Sequence, residues 1–292
     1  YGEGQNRNTF GNRIINIAIT PKYNFNKHLT LSEHFSFSLT NTNENYYLPI
    51  SGVPAFKVSG LSSTTYVYNV AESLAGRESS ISSDTRLEWG NRYGAHKINL
   101  FGGVRYISDN YKLNIQKGYN TGNDKTPNMS SSLAYKSTSG ADDKCRDITW
   151  YANADYNYAE KYYCTAGLSA ETSSRFGSDA DGLNMFGVVW GLFPSIQGAW
   201  VLSNEPWAKI KGINYMKLNV GFDVSGNDDI DYTASRTYFK ANTMIGNSVD
   251  GLSIANIGNT SLKWETTKRF TAGIETNVIN NLVNLQFNYF KS

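Results

Sequence analysis

The feature that most constrains this chain is a period-two alternation of apolar and polar residues, broken by connections that are alternately short and long. Leu29, Leu31, Phe35, Phe37 and Leu39 interleave with Thr30, Ser32, His34, Ser36 and Ser38, with Glu33 the one break in the apolar set. Ile81, Ser83, Thr85, Leu87 and Trp89 stand against Ser82, Asp84, Arg86 and Glu88. His96, Ile98, Leu100, Gly102, Val104 and Tyr106 stand against Lys97, Asn99, Phe101, Gly103 and Arg105. Successive side chains of a strand point to opposite faces, so this spacing predicts strands with two different environments. The middle of the chain reads as a hairpin: Ile148, Trp150, Ala152, Ala154, Tyr156 and Tyr158, a turn at Ala159-Glu160, then Tyr162, Cys164, Ala166, Leu168 and Ala170. A last pair carries Trp264, Phe270, Ala272 and Ile274, then Val283, Leu285, Phe287 and Tyr289.

About ten strands of roughly ten residues follow from this reading. Short connections are expected near Asn26-Lys27, Gly90-Gly94, Ala159-Glu160, Gly212-Asn214 and Asn280-Asn281. Long ones, rich in Gly, Ser, Asn and Asp, are expected over roughly 41–79, 109–144, 173–192 and 225–260. Tight turns at one end and long loops at the other are the pattern of an outer-membrane barrel, and ten tilted residues cross a bilayer. A soluble sandwich mixes its loop lengths at both ends, although its half-buried strands alternate too.

Composition agrees with strand. The 292 residues hold 20 Tyr, 14 Phe and 6 Trp, and no apolar run approaches the ~20 residues a membrane helix needs. A formal charge of +2 is too small to suggest nucleic acid or an anionic membrane surface as a partner. The first residues, Tyr1-Gly2-Glu3-Gly4, carry no basic and apolar leader, so a mature chain or part of a longer one is expected.

No catalytic constellation stands out, and the three histidines, His28, His34 and His96, are dispersed, so no metal centre is expected. Asp142-Asp143 and Asp228-Asp229-Ile230-Asp231 offer the oxygen donors that Ca²⁺ takes, placed in loops, but no complete ligand spacing; solvated loop charge is the plainer reading. Hairpin register sets Cys164 opposite about residue 155, ten positions from Cys145 and on the other face, too far for a disulfide. Cys164 reads as a small residue facing lipid. The polar sets would line a lumen: Asp84, Arg86, Glu88, Lys97, Arg105, Tyr151, Asn153 and Asp155. Trp89, Tyr93, Tyr158, Tyr162 and Tyr163, at strand ends, suit a membrane-interface girdle. Tyr46, Tyr47, Tyr119 and Trp190 fall in the long loops and are the residues named for ligand contact there.

Three ordered segments resemble the barrel of the SusC/RagA family of TonB-linked outer-membrane proteins of the Bacteroidetes. The first is Ser173-Ser174-Arg175-Phe176-Gly177 followed by Gly191-Leu192-Phe193-Pro194-Ser195, Gly198-Ala199-Trp200 and Ser203-Asn204-Glu205. The second is Met216-Lys217-Leu218 with Gly221 and Ser225-Gly226-Asn227. The third is Leu262-Lys263-Trp264-Glu265-Thr266-Thr267 with Gly273-Ile274-Glu275. Two departures are Glu171-Thr172, where the family has Asp-Gly, and Gly221-Phe222-Asp223, where it has Ser-Tyr-Gly.

The resemblance implies an all-β antiparallel transmembrane segment, about ten strands of a larger, 22-stranded barrel, with plug and N-terminal domains outside this chain. It implies outer-membrane import of a glycan or peptide fragment, with a SusD-like lipoprotein and TonB as partners. The residues alone leave two alternatives open: a passive porin or adhesin, and a soluble carbohydrate-binding β-protein.

Overall fold

A computed structural model describes residues 6–52, 54–58, 66–125, 135–243 and 250–292. The strands in chain order are β1 (Arg7–Ile19), β2 (Lys22–Asn24), β3 (Leu29–Leu48), β4 (Val70–Tyr93), β5 (His96–Tyr119), β6 (Tyr135–Tyr158), β7 (Tyr162–Ser173), β8 (Leu183–Met185), β9 (Val188–Val201), β10 (Ile213–Asn227), β11 (Tyr238–Thr243), β12 (Asp250–Asn256), β13 (Glu265–Val278) and β14 (Val283–Lys291). Ten of them form one antiparallel sheet in the order β1-β3-β4-β5-β6-β7-β9-β10-β13-β14. The short β2 and β8 pair with β3 and β9, and β11 with β12 makes a separate hairpin.

Register carries one apolar face across the sheet. Trp89 pairs with Leu100, Leu100 with Ala154 and Ala154 with Ala166; Ala166 then meets Ile196, Ile196 meets Phe222 and Phe222 meets Phe270. Among the described residues nothing covers this face: Trp150, Leu168, Ile196 and Val220 are each about half exposed. Exposed apolar surface of this extent marks a face made for a non-aqueous partner.

The strands are longer than the alternation suggests. β4, β5 and β6 run to 24 residues each, about 80 Å at ~3.3 Å per residue. Only part of each is apolar on the outer face. On β5 the set Ile98 to Tyr106 gives way to Ser108, Asn110 and Lys112, and on β6 the set Tyr158 to Ile148 gives way to Arg146, Lys144 and Asp142. The expected strand length of about ten therefore measured the apolar band, not the strand. The expected loops shrink to match: 41–79 becomes 49–69, and 109–144 becomes 120–134. Asp142 and Asp143 lie on β6, not in a loop, and Asp142 pairs with Lys112 at 2.9 Å across the sheet.

The turns at the other end are tight where left-handed backbone permits. Gly94 (φ 60°) lies between β4 and β5, Ala159 and Glu160 (φ 52° and 60°) between β6 and β7, and Ile279 to Asn281 between β13 and β14. The connection expected to be short near Gly212 runs instead from 202 to 212 and holds a 3₁₀ turn, Leu202–Asn204. Cys164 stands opposite Tyr156, one residue from the expected register, and Cys145 opposite Asp109. Both thiols are free, Cys164 exposed on the apolar face and Cys145 buried.

Candidate functional site

The face opposite the apolar one carries the charge. Asp84, Arg105, Thr149 and Glu171 are successive register partners on β4 to β7, as are Arg86, Gly103, Tyr151 and Ser169. They surround a depression of about 470 Å³ that Ser32, His34 and Phe101 complete. Arg105 donates from Nε to Asp84 Oδ2 at 2.9 Å, and its Nη2 lies 2.9 Å from the same oxygen. The Tyr151 hydroxyl donates to Asp84 Oδ1 at 2.5 Å. That reach crosses a whole strand, and Gly103 makes it possible: a Cβ there would meet the Tyr151 hydroxyl at 2.6 Å and Thr85 O at 2.3 Å.

The Arg86 guanidinium lies over the Phe101 ring, its Cζ 3.8 Å from the centroid, in a cation–π contact. Its Nη2 is 3.4 Å from Glu88, while its buried Nε has no acceptor among the described residues. The depression therefore offers a fixed carboxylate held by two donors, an aromatic face and one unfilled donor. Such a set can hold polar groups of either sign. Further round the same face Arg269 Nε donates to Asp223 Oδ1 at 3.0 Å.

The segments that carry the family resemblance meet at the loop end of this face. The Phe176 and Trp264 rings pack at 4.1 Å, and Phe193 approaches Trp264 edge-on at 6.0 Å. Gly177 donates its N–H to Leu262 O at 3.0 Å, and Asp179 to Thr260 O at 2.8 Å. The Gly residues are there for contact: a Cβ on Gly177 would fall 1.9 Å from Thr260 O, and one on Gly226 2.4 Å from Phe193 Cζ. Arg175 donates to Asp228 O at 2.9 Å and sits over the Tyr232 ring. Pro194 pairs only with Leu168 of β7, because the ladder with β10 stops at Ser195, so its missing N–H costs no bond. Glu265 opens β13 opposite Asn227.

A second knot ties the loops above β3 to β6. Asp124 accepts from the Tyr47 hydroxyl (2.7 Å) and from the N–H groups of Ile50 (2.8 Å) and Ser51 (3.1 Å). The Ile50 amide first, then the Tyr47 hydroxyl, hold the Asp124 carboxyl below the usual range. Buried Asn69 bonds the Tyr47 hydroxyl and Thr121 from its Nδ2. Val67, Val70 and Tyr119 form a small core on which Tyr46 packs.

Register thus places all eight residues predicted for a lumen, Asp84, Arg86, Glu88, Lys97, Arg105, Tyr151, Asn153 and Asp155, on one face. The depression gathers Asp84, Arg86, Arg105 and Tyr151. Lys97 lies toward the tight turns opposite Arg92 and Asn157, and Asp155 accepts from Thr165 at 2.8 Å. The four residues expected to meet ligand in long loops lie on strands instead, Tyr46 and Tyr47 at the end of β3, Tyr119 at the end of β5 and Trp190 on β9, because those strands run past the apolar band; Tyr47, Tyr119 and Trp190 are buried. His34, Phe101 and Glu171 also line the depression and are not among the residues expected there. The available signal was an aromatic, Phe101, in a polar set. Among the described residues no three or more His, Cys, Asp or Glu gather as a metal would need.

Comparison with known proteins follows the same lines. A family model described as TonB dependent receptor-like, beta-barrel, matches residues 1–292. TonB-dependent receptor P39 of Formosa agariphila is 34% identical over 137 residues, 46% of this chain and 12% of that protein. TonB-dependent receptor SusC of Bacteroides thetaiotaomicron is 25% identical over 142 residues, 46% of this chain and 13% of that protein. A structure of the RagAB peptide transporter superposes with a TM-score of 0.79 at 18% identity, covering 98% of this chain and 30% of that one. The matched stretches are less than a third of each of these proteins. With its whole length matched by the family model, the chain belongs to the TonB-dependent receptor-like β-barrel family.

Proposed function

We propose that this chain is part of the wall of a SusC-like importer in the outer membrane of a Gram-negative bacterium, and that the importer takes up a nutrient fragment, a glycan or a peptide. The observation that carries this reading is the two-faced sheet. An uncovered apolar band about eleven residues tall suits the hydrocarbon thickness that tilted strands cross. The opposite face holds charge in pairs, as a hydrated lumen or a plugged one requires. Asp84, Arg86, Glu88, Lys97, Arg105, Tyr151, Asn153 and Asp155 line that lumen, and the depression around Asp84 is where a polar fragment meets the wall.

The strands that rise beyond the apolar band carry the two knotted loop groups, a platform suited to a SusD-like lipoprotein. TonB supplies energy through a part of the receptor outside this sheet. The edges β1 and β14 each offer one unpaired ladder, which the rest of the barrel closes. Uptake of radiolabelled oligosaccharides and oligopeptides by cells carrying the full-length receptor tests the reading. Uptake of one class that stops when TonB is inactivated is expected; uptake indifferent to TonB would favour a passive pore and overturn it.

A further inference from the structure

The connection 202–212 is unlike the other turns at its end of the sheet. It is the long one, and its middle is fixed rather than loose. Glu205 is 6% exposed and accepts three bonds: from the Tyr162 hydroxyl to Oε1 at 2.5 Å, from Trp200 Nε1 to Oε1 at 3.2 Å and from Lys161 Nζ to Oε2 at 2.9 Å. Tyr162 and Trp200 are register partners on the apolar face and stack at 6.2 Å. The anchor thus ties the connection to the apolar side. Beyond it, Pro206-Trp207-Ala208-Lys209-Ile210-Lys211 projects outward.

What projects is of two kinds. Trp207 is 70% exposed although its ring lies 6.0 Å from Trp200, and Ile210 is half exposed. Lys209 and Lys211 are exposed beside them. The neighbouring turn joins in: Ile279 N–H donates to Gly212 O at 3.0 Å, and Asn281 N–H to Asn214 Oδ1 at 3.3 Å. That turn exposes Ile279 and Leu282, the latter by 80%. Four large apolar side chains on two bonded turns, all open to solvent, are costly in water and favourable in the acyl boundary of a bilayer. Lysines interleaved with them match the phosphate level just outside that boundary.

We propose that residues 206–212, with the turn at Ile279–Leu282, form a membrane foot that sinks into the leaflet on the tight-turn side and binds the phosphates of anionic phospholipids through Lys209 and Lys211. The foot continues the apolar face beyond its aromatic rim. The inference rests on the reading of that face as the lipid face.

The test uses the full-length receptor reconstituted in phosphatidylcholine vesicles, into which phosphatidylglycerol bearing an acyl-chain nitroxide is titrated. A bimane fluorophore is placed on Ile210→Cys or, in separate samples, on native Cys164, all other cysteines being replaced. Quenching is expected at both positions. At Ile210→Cys it saturates at a low phosphatidylglycerol fraction, and Lys209→Gln with Lys211→Gln raises the fraction needed by about thirtyfold, from two lysine–phosphate attractions. Quenching at Cys164 with none at Ile210→Cys would overturn the foot and leave the barrel reading intact. Absence of quenching at Cys164 would remove the barrel reading beneath it. Unchanged titration in the double lysine variant would overturn the phosphate contact. A probe at Ile210→Cys shielded from both water and lipid would mean a periplasmic protein covers the surface, which also overturns the proposal.

Discussion

Trp264→Ala is the perturbation that most directly probes how the loops are held over the polar face. Trp264 is 7% exposed and packs between Phe176 and Phe193. A buried aromatic of this size removes ~150–250 Å² from water, worth ~4–6 kcal/mol at ~25 cal/mol per Å². Measured Trp-to-Ala changes in well-packed sites fall at about 3–5 kcal/mol. The ten-stranded ladder does not depend on this contact, so the loss falls on local opening of the segments 174–187 and 257–264. Their reporters are the amides of Gly177 and Asp179, bonded to Leu262 O and Thr260 O. Hydrogen exchange followed by mass spectrometry on the full-length receptor in detergent should show those amides losing about a hundredfold to a thousandfold in protection, capped by their starting stability. Amides in the band, such as those of Leu218 and Ile274, keep theirs. A loss below about tenfold at Gly177 and Asp179, or equal loss through the band, would mean that Trp264 does not hold these segments in place.

Gly103→Ala brings a Cβ within 2.3 Å of Thr85 O and into the Tyr151 hydroxyl. It should lower the temperature of heat-modified gel mobility and cost about 1–3 kcal/mol, whereas Gly198→Ala, whose Cβ would meet nothing nearer than Val220 Cγ2 at 3.8 Å, should shift less than Gly103→Ala. Asp124→Asn removes one acceptor oxygen from the knot on Tyr47, Ile50 and Ser51; limited proteolysis should then cut within 49–69 faster, with no change at 174–187. A lipid-soluble maleimide in detergent should modify Cys164, which lies on the apolar face, without unfolding, and buried Cys145 only after unfolding. The Tyr162 hydroxyl and Lys161 hold the Glu205 carboxyl below the ordinary glutamate value of 4.5. That contribution is complete above 4.5 and fades as pH falls through the lower folded value. Amide exchange over 202–212, corrected for intrinsic rate, should stay flat from about pH 8 to 5 and rise only in stronger acid; a rise already near neutral pH would contradict the anchor.

The apolar band was legible because alternation is written wherever the two faces of a strand meet different solvents. Ile98 to Tyr106 and Ile148 to Tyr158 show it residue by residue. Above the band both faces are wet, selection for alternation lapses, and the strand runs on unannounced. This is why Asp142 read as loop although it pairs with Lys112 on β5. The extent of 202–212 was hidden for a related reason: the 3₁₀ turn and the buried Glu205 leave no period, and Gly212 alone suggested a tight turn. At the depression, parity alone put Asp84, Arg86, Arg105 and Tyr151 on one face. That Tyr151 crosses Gly103 to reach Asp84 depends on which glycine lies beside which tyrosine, and that is fixed by register between strands some fifty residues apart in sequence. Tyr47, Tyr119 and Trp190 read as loop for the same reason as Asp142: they lie on parts of β3, β5 and β9 where alternation fails, and burial assigns them to holding the loop end together.

On the proposed reading, one face of this sheet meets lipid and the other meets water over a band that stops partway up the strands. A nitroxide walked along β5, one cysteine variant at a time from Lys97 to Lys112, in the reconstituted full-length receptor tests it most directly. Collision with oxygen should exceed collision with a water-soluble nickel complex at positions 98, 100, 102, 104 and 106, and the order should reverse at 97, 99, 101, 103 and 105. From 108 onward nickel should dominate at even and odd positions alike. Alternation that continues unchanged to Lys112, or nickel access at Leu100 equal to that at Arg105, would contradict the account.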